Sequence, residues 1–367
     1  MTKISRLVVK VGTSILTDKL GRINPQKIKD IARQIKKVKE MGVDPLVVTS
    51  GAIACGMELL GINRKPKEIG KKQALASVGQ VILMSLYSHA FKEHNLHIGQ
   101  ILLTHEDVKD KDRCLNLTNT LNTLLSLGII PVVNENDALS FREIQFGDND
   151  NLSATIAQIV NADLLLLLSD VDGLYEKNPK KYPGANLVKV VKKIDERIWS
   201  IAEGTESEKS IGGMLSKIEA AKKAGLYGIP TRIVSGDTEE VIVRVVLGEE
   251  LGTLFLPERK LSRKKWWTAF AFRTKGKIWI DDGAEKAIKE NGKSLLPTGV
   301  LKVEGDFSRG DCVEVVNIKG VLISKGIVNY GSHEIDLIKG LKTIEIEQKL
   351  GYKYTEEVIH RDNMVIL

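Results

Sequence analysis

The stretch Phe-Gly-Asp-Asn-Asp-Asn over 146–151 sets two carboxylates, Asp148 and Asp150, around the amide of Asn149, ahead of the apolar run 152–160. Carboxylates and an amide at the entry to a helix can recognise a polar ligand, or can simply cap the helix by accepting from its free N–H groups. The company these residues keep selects between the two. Lys10 lies in the apolar run 7–11, where an ammonium must emerge at a strand end or meet an anion. Ser50-Gly51 follows the apolar segment 45–49, Asn134 to Asp137 follows 129–133, and Ser169-Asp170 follows the five leucines 164–168. Gly212-Gly213-Met214-Leu215-Ser216-Lys217 leads into a helical segment reaching Ala224. Apolar strands ending in small or polar residues present backbone N–H groups and side chains to an anion.

These residues must be positioned by alternating strands and helices. Apolar residues at Ile28, Ile31, Ile35 and Val38 predict a helix over 25–41, ended by Gly42. Further helices are expected over 71–91 and 115–127, and strands over 98–103 and 231–235. The leucine run has the pattern of a central parallel strand covered on both faces. The alternation predicts an α/β fold with a doubly wound, mostly parallel sheet, whose ligands sit at the carboxyl ends of its strands. Lys10, Ser50, Asp137, Ser169 and Asp170 all fall at such ends.

Near Pro257 the pattern changes. Eight Lys or Arg and one acid, with Trp266-Trp267, occupy 257–280, and short strands with glycine turns follow. The expected organisation is a first domain over 1–256, a basic linker over 257–275, a small β-rich domain over 276–353 and a C-terminal tail over 354–367. At 367 residues two domains are the natural expectation. A hydrophobic content of 43% with 28% charged residues fits a soluble globular chain, and the net charge of +7 favours anionic small molecules and tolerates nucleic acid. No apolar run of about 18 residues and no signal-peptide pattern is visible, so a cytoplasmic protein is expected. Cys55, Cys114 and Cys312 lack metal-ligand spacing, and no metal-binding residues are expected. Asn291-Gly-Lys-Ser294 has Ala287 where a phosphate loop needs its first glycine. The chain also lacks Gly-x-Gly-x-x-Gly, which counts against a nicotinamide dehydrogenase.

Taken together, the segments 9–14, 48–53, 133–137, 146–150, 169–175 and 212–217 resemble the amino-acid kinase family, over about residues 5–255. The segments 276–284, 292–299, 303–310 and 328–330 resemble the PUA domain, which implies a small β-rich barrel. The resemblance implies ATP-dependent phosphorylation of the side-chain carboxylate of L-glutamate, giving L-glutamyl 5-phosphate for proline synthesis. It assigns Lys10 and Lys217 to screening the transferring phosphoryl, with Asp150 orienting them. It puts Ser50, Gly51, Asp137, Asp148 and Asn149 around the amino acid. The nucleotide falls to Lys10, Ser169, Asp170 and the run Gly212, Gly213, Met214, Leu215, Ser216 and Lys217. Ser169 stands where threonine is usual, and Ser210-Ile211 where glycine and threonine are often found. Mg2+ is expected with ATP, proline as an inhibitor, and further copies of the chain in a dimer or tetramer. Two alternatives stay open: a kinase of this fold acting on aspartate or N-acetylglutamate, and RNA as the partner of the second domain. No membrane partner is expected.

Overall fold

The computed structural model describes residues 4–18, 20–104, 106–139, 149–179, 181–205, 213–257 and 274–367. The chain forms two compact units, one of Met1–Val108 with Leu115–Lys260 and one of Lys109–Cys114 with Leu261–Leu367. The basic stretch 258–273, most of the expected linker, lies outside the described residues.

The first unit is built on β1 (Arg6–Val11), β2 (Asp44–Val48), β3 (Ile98–Leu103), β4 (Ile130–Glu135), β5 (Leu164–Ser169), β6 (Val190–Val191), β7 (Thr231–Ser235) and β8 (Thr253–Phe255). They form one sheet in the order β3-β4-β2-β1-β5-β7-β8-β6. The six strands from β3 to β7 in that order pair in parallel, as do β6 and β8, and among the described residues of this sheet only the β7–β8 pairing is antiparallel. Every residue of β4 and β5 is buried, as expected of strands covered on both faces. Because β1 lies between β2 and β5, Lys10 at its carboxyl end has Val48 as neighbour on one side and Leu167 on the other.

Helices α1 (Thr13–Leu16) and α2 (Pro25–Glu40) follow β1. Asn24 caps α2 by accepting from Gln26 N at 3.1 Å, Pro25 opens it, and Ile28, Ile31, Ile35 and Val38 are buried. After β2, Gly51 turns the chain with φ 107°, a left-handed conformation costly for residues with a Cβ, and α3 (Ala52–Leu59) begins with no side-chain cap. Helix α4 (Ile69–Lys92) then lies backbone to backbone against α3. A Cβ on Gly79 would stand 1.8 Å from the Ala52 carbonyl oxygen, and one on Gly56 2.0 Å from that of Leu75. By length and composition α4 could cross a membrane, a property the search for long apolar runs does not reveal. Half of that window is buried, and Leu83, Met84, Tyr87 and Phe91 join the core.

The remaining helices are α5 (Lys111–Ser126), which belongs to this unit from Leu115 onward, α6 (Asn149–Ile159), α7 (Glu196–Thr205), α8 (Met214–Gly225) and α9 (Val241–Val246). Helix α6 starts earlier than its apolar pattern implies. Asn149 and Asp150, read above as loop residues ahead of the helix, form its first turn, where a carboxylate also complements the helix dipole.

The second unit has a sheet in the order β10-β9-β11-β12-β13, formed by β9 (Gly276–Ile280), β10 (Val300–Gly305), β11 (Cys312–Asn317), β12 (Leu322–Ile327) and β13 (Met364–Ile366). It also carries helices that short-strand periodicity does not reveal: α10 (Asp282–Asn291), α11 (Ser332–Ile338) and α12 (Ile346–Leu350). Asp281 caps α10 by accepting from Ala284 N at 2.7 Å, and Gly292 ends it at φ 56°. The Asn-Gly-Lys-Ser run over 291–294 is therefore a helix C-terminus. Residues 354–367, expected to be a tail, contribute to this unit: β13 pairs antiparallel with β12, and Val358, Ile359 and Val365 are buried.

Candidate active site

The parallel sheet carries Lys10 to the end of β1, and α6 carries Asp150 to meet it. Lys10 Nζ lies 2.7 Å from Asp150 Oδ1, and Lys217 Nζ, from the first turns of α8, lies 3.2 Å from Asp150 Oδ2. Ser216 Oγ donates to Asp150 Oδ2 at 2.7 Å and is also 3.0 Å from the Gly213 carbonyl. Lys10, Asp150 and Lys217 are 5%, 1% and 7% exposed, so each charge depends on the others for compensation. Burial alone would raise the Asp150 carboxyl, but the ammonium groups of Lys10 and Lys217 and the Ser216 hydroxyl hold it at about 2. The Lys217 ammonium is lowered by burial and by the like charge of Lys10, against the opposing pull of Asp150. Two ammonium groups gathered on one carboxylate leave a net positive charge. That is a site for an anion carrying more than one charge.

Beside this clamp is a cavity of about 520 Å3. Ser50, Gly51, Asn134, Asp137 and Asn149 line it, as do the cations Arg22 and Lys65. Asn149 reaches the floor of the cavity from α6. Its Nδ2 lies 2.7 Å from the Thr49 carbonyl, 2.8 Å from Ser50 Oγ and 3.0 Å from Asn134 Oδ1. A carbonyl can only accept, so the amide orientation is settled and Asn149 Oδ1 is left buried without a partner. Asp137 stands on the cavity wall, and burial pushes its carboxyl up to about 6 against the opposing charge of Lys65. An unpartnered buried acceptor next to a carboxylate calls for a ligand with several N–H donors and a positive charge. Facing them, the uncapped N-terminus of α3 at Gly51 and Ala52 offers backbone N–H groups for a carboxylate.

The remaining predicted residues lie at two further ends. Ser169 ends β5 and Asp170 follows it, with Ser169 Oγ 3.4 Å from Asp170 Oδ1, while Gly213 precedes α8 and Met214 and Leu215 open it without a side-chain cap. Asp148 and Gly212 lie outside the described residues. Sequence reasoning did not find the amide chain beneath the cavity. Asn134 Nδ2 donates to Gln80 Oε1 at 2.8 Å, and Thr49 Oγ1 lies 2.9 Å from the Tyr87 hydroxyl. The available signal was a glutamine on the face of α4 that also carries Ala76, Leu83 and Tyr87.

A parallel α/β sheet that brings two buried ammonium groups and a bridging carboxylate beside a cavity for a small zwitterion defines a phosphoryl-transfer enzyme with a small charged acceptor. Comparison with known proteins specifies the class. The model of the amino acid kinase family matches residues 5–235, and that of the PUA domain matches residues 276–350. A protein named Glutamate 5-kinase from Caldanaerobacter subterraneus subsp. tengcongensis is 46% identical over 363 residues, spanning 99% of this chain and 98% of its own. Another of that name, from Geobacter sulfurreducens, is 44% identical over 368 residues, spanning 100% of this chain and 99% of its own. The chain belongs to the amino acid kinase family, with a PUA domain following its kinase part.

Proposed function

We propose that this chain transfers the γ-phosphoryl group of ATP to the side-chain carboxylate of L-glutamate, forming L-glutamyl 5-phosphate and ADP, the first step of proline synthesis. Relatives of that name match along nearly the whole chain. The observation that carries the chemistry is the sharing of Asp150 by Lys10 and Lys217. A carboxylate is ionised at neutral pH and is already a nucleophile, so the reaction needs no base. One oxygen of the substrate carboxylate bonds to the γ-phosphorus while the bond from phosphorus to the bridging oxygen of ADP breaks, and no proton moves. The protein's task is to align two anions and to screen the charge that builds on the phosphoryl oxygens. Lys10 and Lys217 supply the screening, and Asp150 fixes where their ammonium groups stand. One such electrostatic contact is worth on the order of 3 kcal/mol of barrier.

At the acceptor end, Asp137 and Asn149 Oδ1 take the α-ammonium, and Ser50 with the N-terminus of α3 takes the α-carboxylate. Ser169, Asp170 and the segment from Gly213 to Lys217 hold the nucleotide. Mg2+ bound with ATP would neutralise phosphate charge. Among the described residues no group of three or more His, Cys, Asp or Glu could hold a metal ion. An ion brought by ATP would be ligated mainly by phosphate and water, and the exposed Asp170 carboxylate would be the protein group to meet it through water. Proline shares the α-carboxylate and cationic nitrogen of glutamate, and it binds in the same cavity as a competitor of glutamate and not of ATP.

The test is ADP release with glutamate, aspartate and N-acetylglutamate side by side, with hydroxylamine trapping the acyl phosphate. Glutamate should be strongly preferred and should give the hydroxamate. A preference for N-acetylglutamate, which lacks the cationic nitrogen that Asp137 requires, would overturn the assignment. Inhibition by proline that higher glutamate does not relieve would overturn the shared-site reading.

A further inference from the structure

The buried glutamine of α4 does not itself line the substrate cavity, yet it ends a chain of side-chain amides that leads into it. From Gln80 the chain runs through Asn134 to Asn149: Asn134 Nδ2 donates to Gln80 Oε1 at 2.8 Å, and Asn149 Nδ2 lies 3.0 Å from Asn134 Oδ1. Two of its three amides, Asn149 and Asn134, are fixed by backbone groups. The Thr49 carbonyl can only accept, so it holds the nitrogen of Asn149; the Glu135 N–H can only donate, and at 2.9 Å it holds the oxygen of Asn134. The Asn134 nitrogen must therefore point down at α4. Asn134 is 1% exposed and Gln80 9% exposed, so the donor aimed there has no ready alternative to Gln80 Oε1.

Without that acceptor, the Asn134 nitrogen is a buried unsatisfied donor, a costly state that rotation of the side chain relieves. Rotation withdraws Asn134 Oδ1 from Asn149. The nitrogen of Asn149 then loses one of the three acceptors, Thr49 O, Ser50 Oγ and Asn134 Oδ1, that share its two protons and fix its direction. Gln80 itself is held by backbone. Gly79, the residue before it, packs against Ala52 so closely that α4 cannot slide along α3. Gln80 Nε2 has no protein partner, so the oxygen of this side chain is the atom the arrangement uses.

We infer that Gln80 is a positioning residue for substrate binding: through Asn134 it holds Asn149 so that its side-chain oxygen meets the α-ammonium of the amino-acid substrate. This deepens the glutamate reading and rests on it. Because Gln80 acts on ground-state recognition, its loss raises the KM for glutamate and spares turnover and the KM for ATP.

The experiment measures steady-state kinetics of the full chain and of Gln80→Met, Gln80→Glu, Asn134→Ala and Gln80→Met/Asn134→Ala. Methionine keeps length and helix propensity without an acceptor oxygen. Glutamate offers an acceptor oxygen in either protonation state. Expected for Gln80→Met is a rise in the KM for glutamate of about tenfold, the scale of one lost hydrogen bond in a buried network, with kcat and the KM for ATP within about threefold of the unaltered chain. Gln80→Glu should keep a KM close to the original, and the double variant should be no worse than Asn134→Ala alone, since both changes break one chain. An unchanged KM in Gln80→Met, a KM in Gln80→Glu as high as in Gln80→Met, or additive losses in the double variant would each overturn the inference. Should Gln80→Met not fold, the KM of Gln80→Glu decides alone. Absence of glutamate-dependent turnover in the unaltered chain would remove the glutamate reading and this inference together, a result distinct from any of the others.

Discussion

Replacing Asp150 by asparagine keeps the shape of the clamp and removes the charge at its centre. In the native chain that carboxylate is 1% exposed and stands 2.7 Å from one ammonium nitrogen and 3.2 Å from another. Asparagine leaves two buried cations facing each other with only an amide between them. Breaking a buried pair of this kind costs on the order of 3–5 kcal/mol, and the amide oxygen of asparagine should place this variant near the lower end. Lysines that drift apart no longer bracket the phosphoryl group, so kcat should fall by about a hundredfold or more, the scale of one lost electrostatic stabiliser. The pH response carries a second signature. Lys217 is lowered by burial and supported by Asp150, so the variant lowers it further. A requirement for its ammonium form is met below its pKa and lost as pH rises through it, so the alkaline limb of kcat should move to lower pH. Stability follows the carboxylate. Its pKa falls from the ordinary 3.8 to about 2 on folding, which contributes on the order of 2 kcal/mol above pH 3.8, lost as pH drops toward 2. The gap in Tm between native and variant chains should therefore narrow as pH falls from 5 to 3. A variant with kcat within about threefold of native and an unmoved alkaline limb would refute the reasoning.

Asp137→Ala should raise the KM for glutamate much more than it lowers kcat. In the native chain, where burial raises this carboxyl to about 6, that KM should climb as pH falls through 6 because the neutral acid no longer attracts the ammonium; a pH profile that Asp137→Asn leaves unaltered would count against this. Gly79→Ala should cost on the order of 3 kcal/mol or more, since its methyl group would lie 1.8 Å from the Ala52 carbonyl oxygen and neither backbone has room to yield; thermal or urea unfolding within about 0.5 kcal/mol of native would show that α3 and α4 separate easily. Truncation after Pro257 should leave soluble kinase activity, because the strands and helices bearing the site precede that point; aggregation with loss of turnover would contradict this. Titrating the full and truncated chains with RNA at two salt concentrations separates nucleic-acid binding by the second unit, which would fall steeply with salt, from a role in assembly or proline response.

The sequence alone determined most strands and helices of the first unit and the strand ends at which Lys10, Ser50 and Ser169 stand. Five leucines in a row require a strand buried on both faces, Asn24-Pro25 starts a helix, and Gly51 permits the left-handed turn that points α3 at the cavity. These features are local, and local chemistry is readable from neighbouring residues. The motif resemblance added roles to Lys10, Asp150 and Lys217, which no periodicity could assign. Tertiary structure alone decided that these three meet: the parallel order β2-β1-β5 brings the end of β1 beside α6, and the packing of α8 on α6 brings in Lys217 from 67 residues further along the chain. It also decided that Asn149 and Asp150 lie inside the helix, that residues 354–367 complete a sheet, and that Gln80 is an anchor instead of a solvated helix residue. The physical reason is common to all three. A charge or amide acquires its function from the desolvated partner it faces, and that partner is chosen by the packing of elements far apart in the sequence.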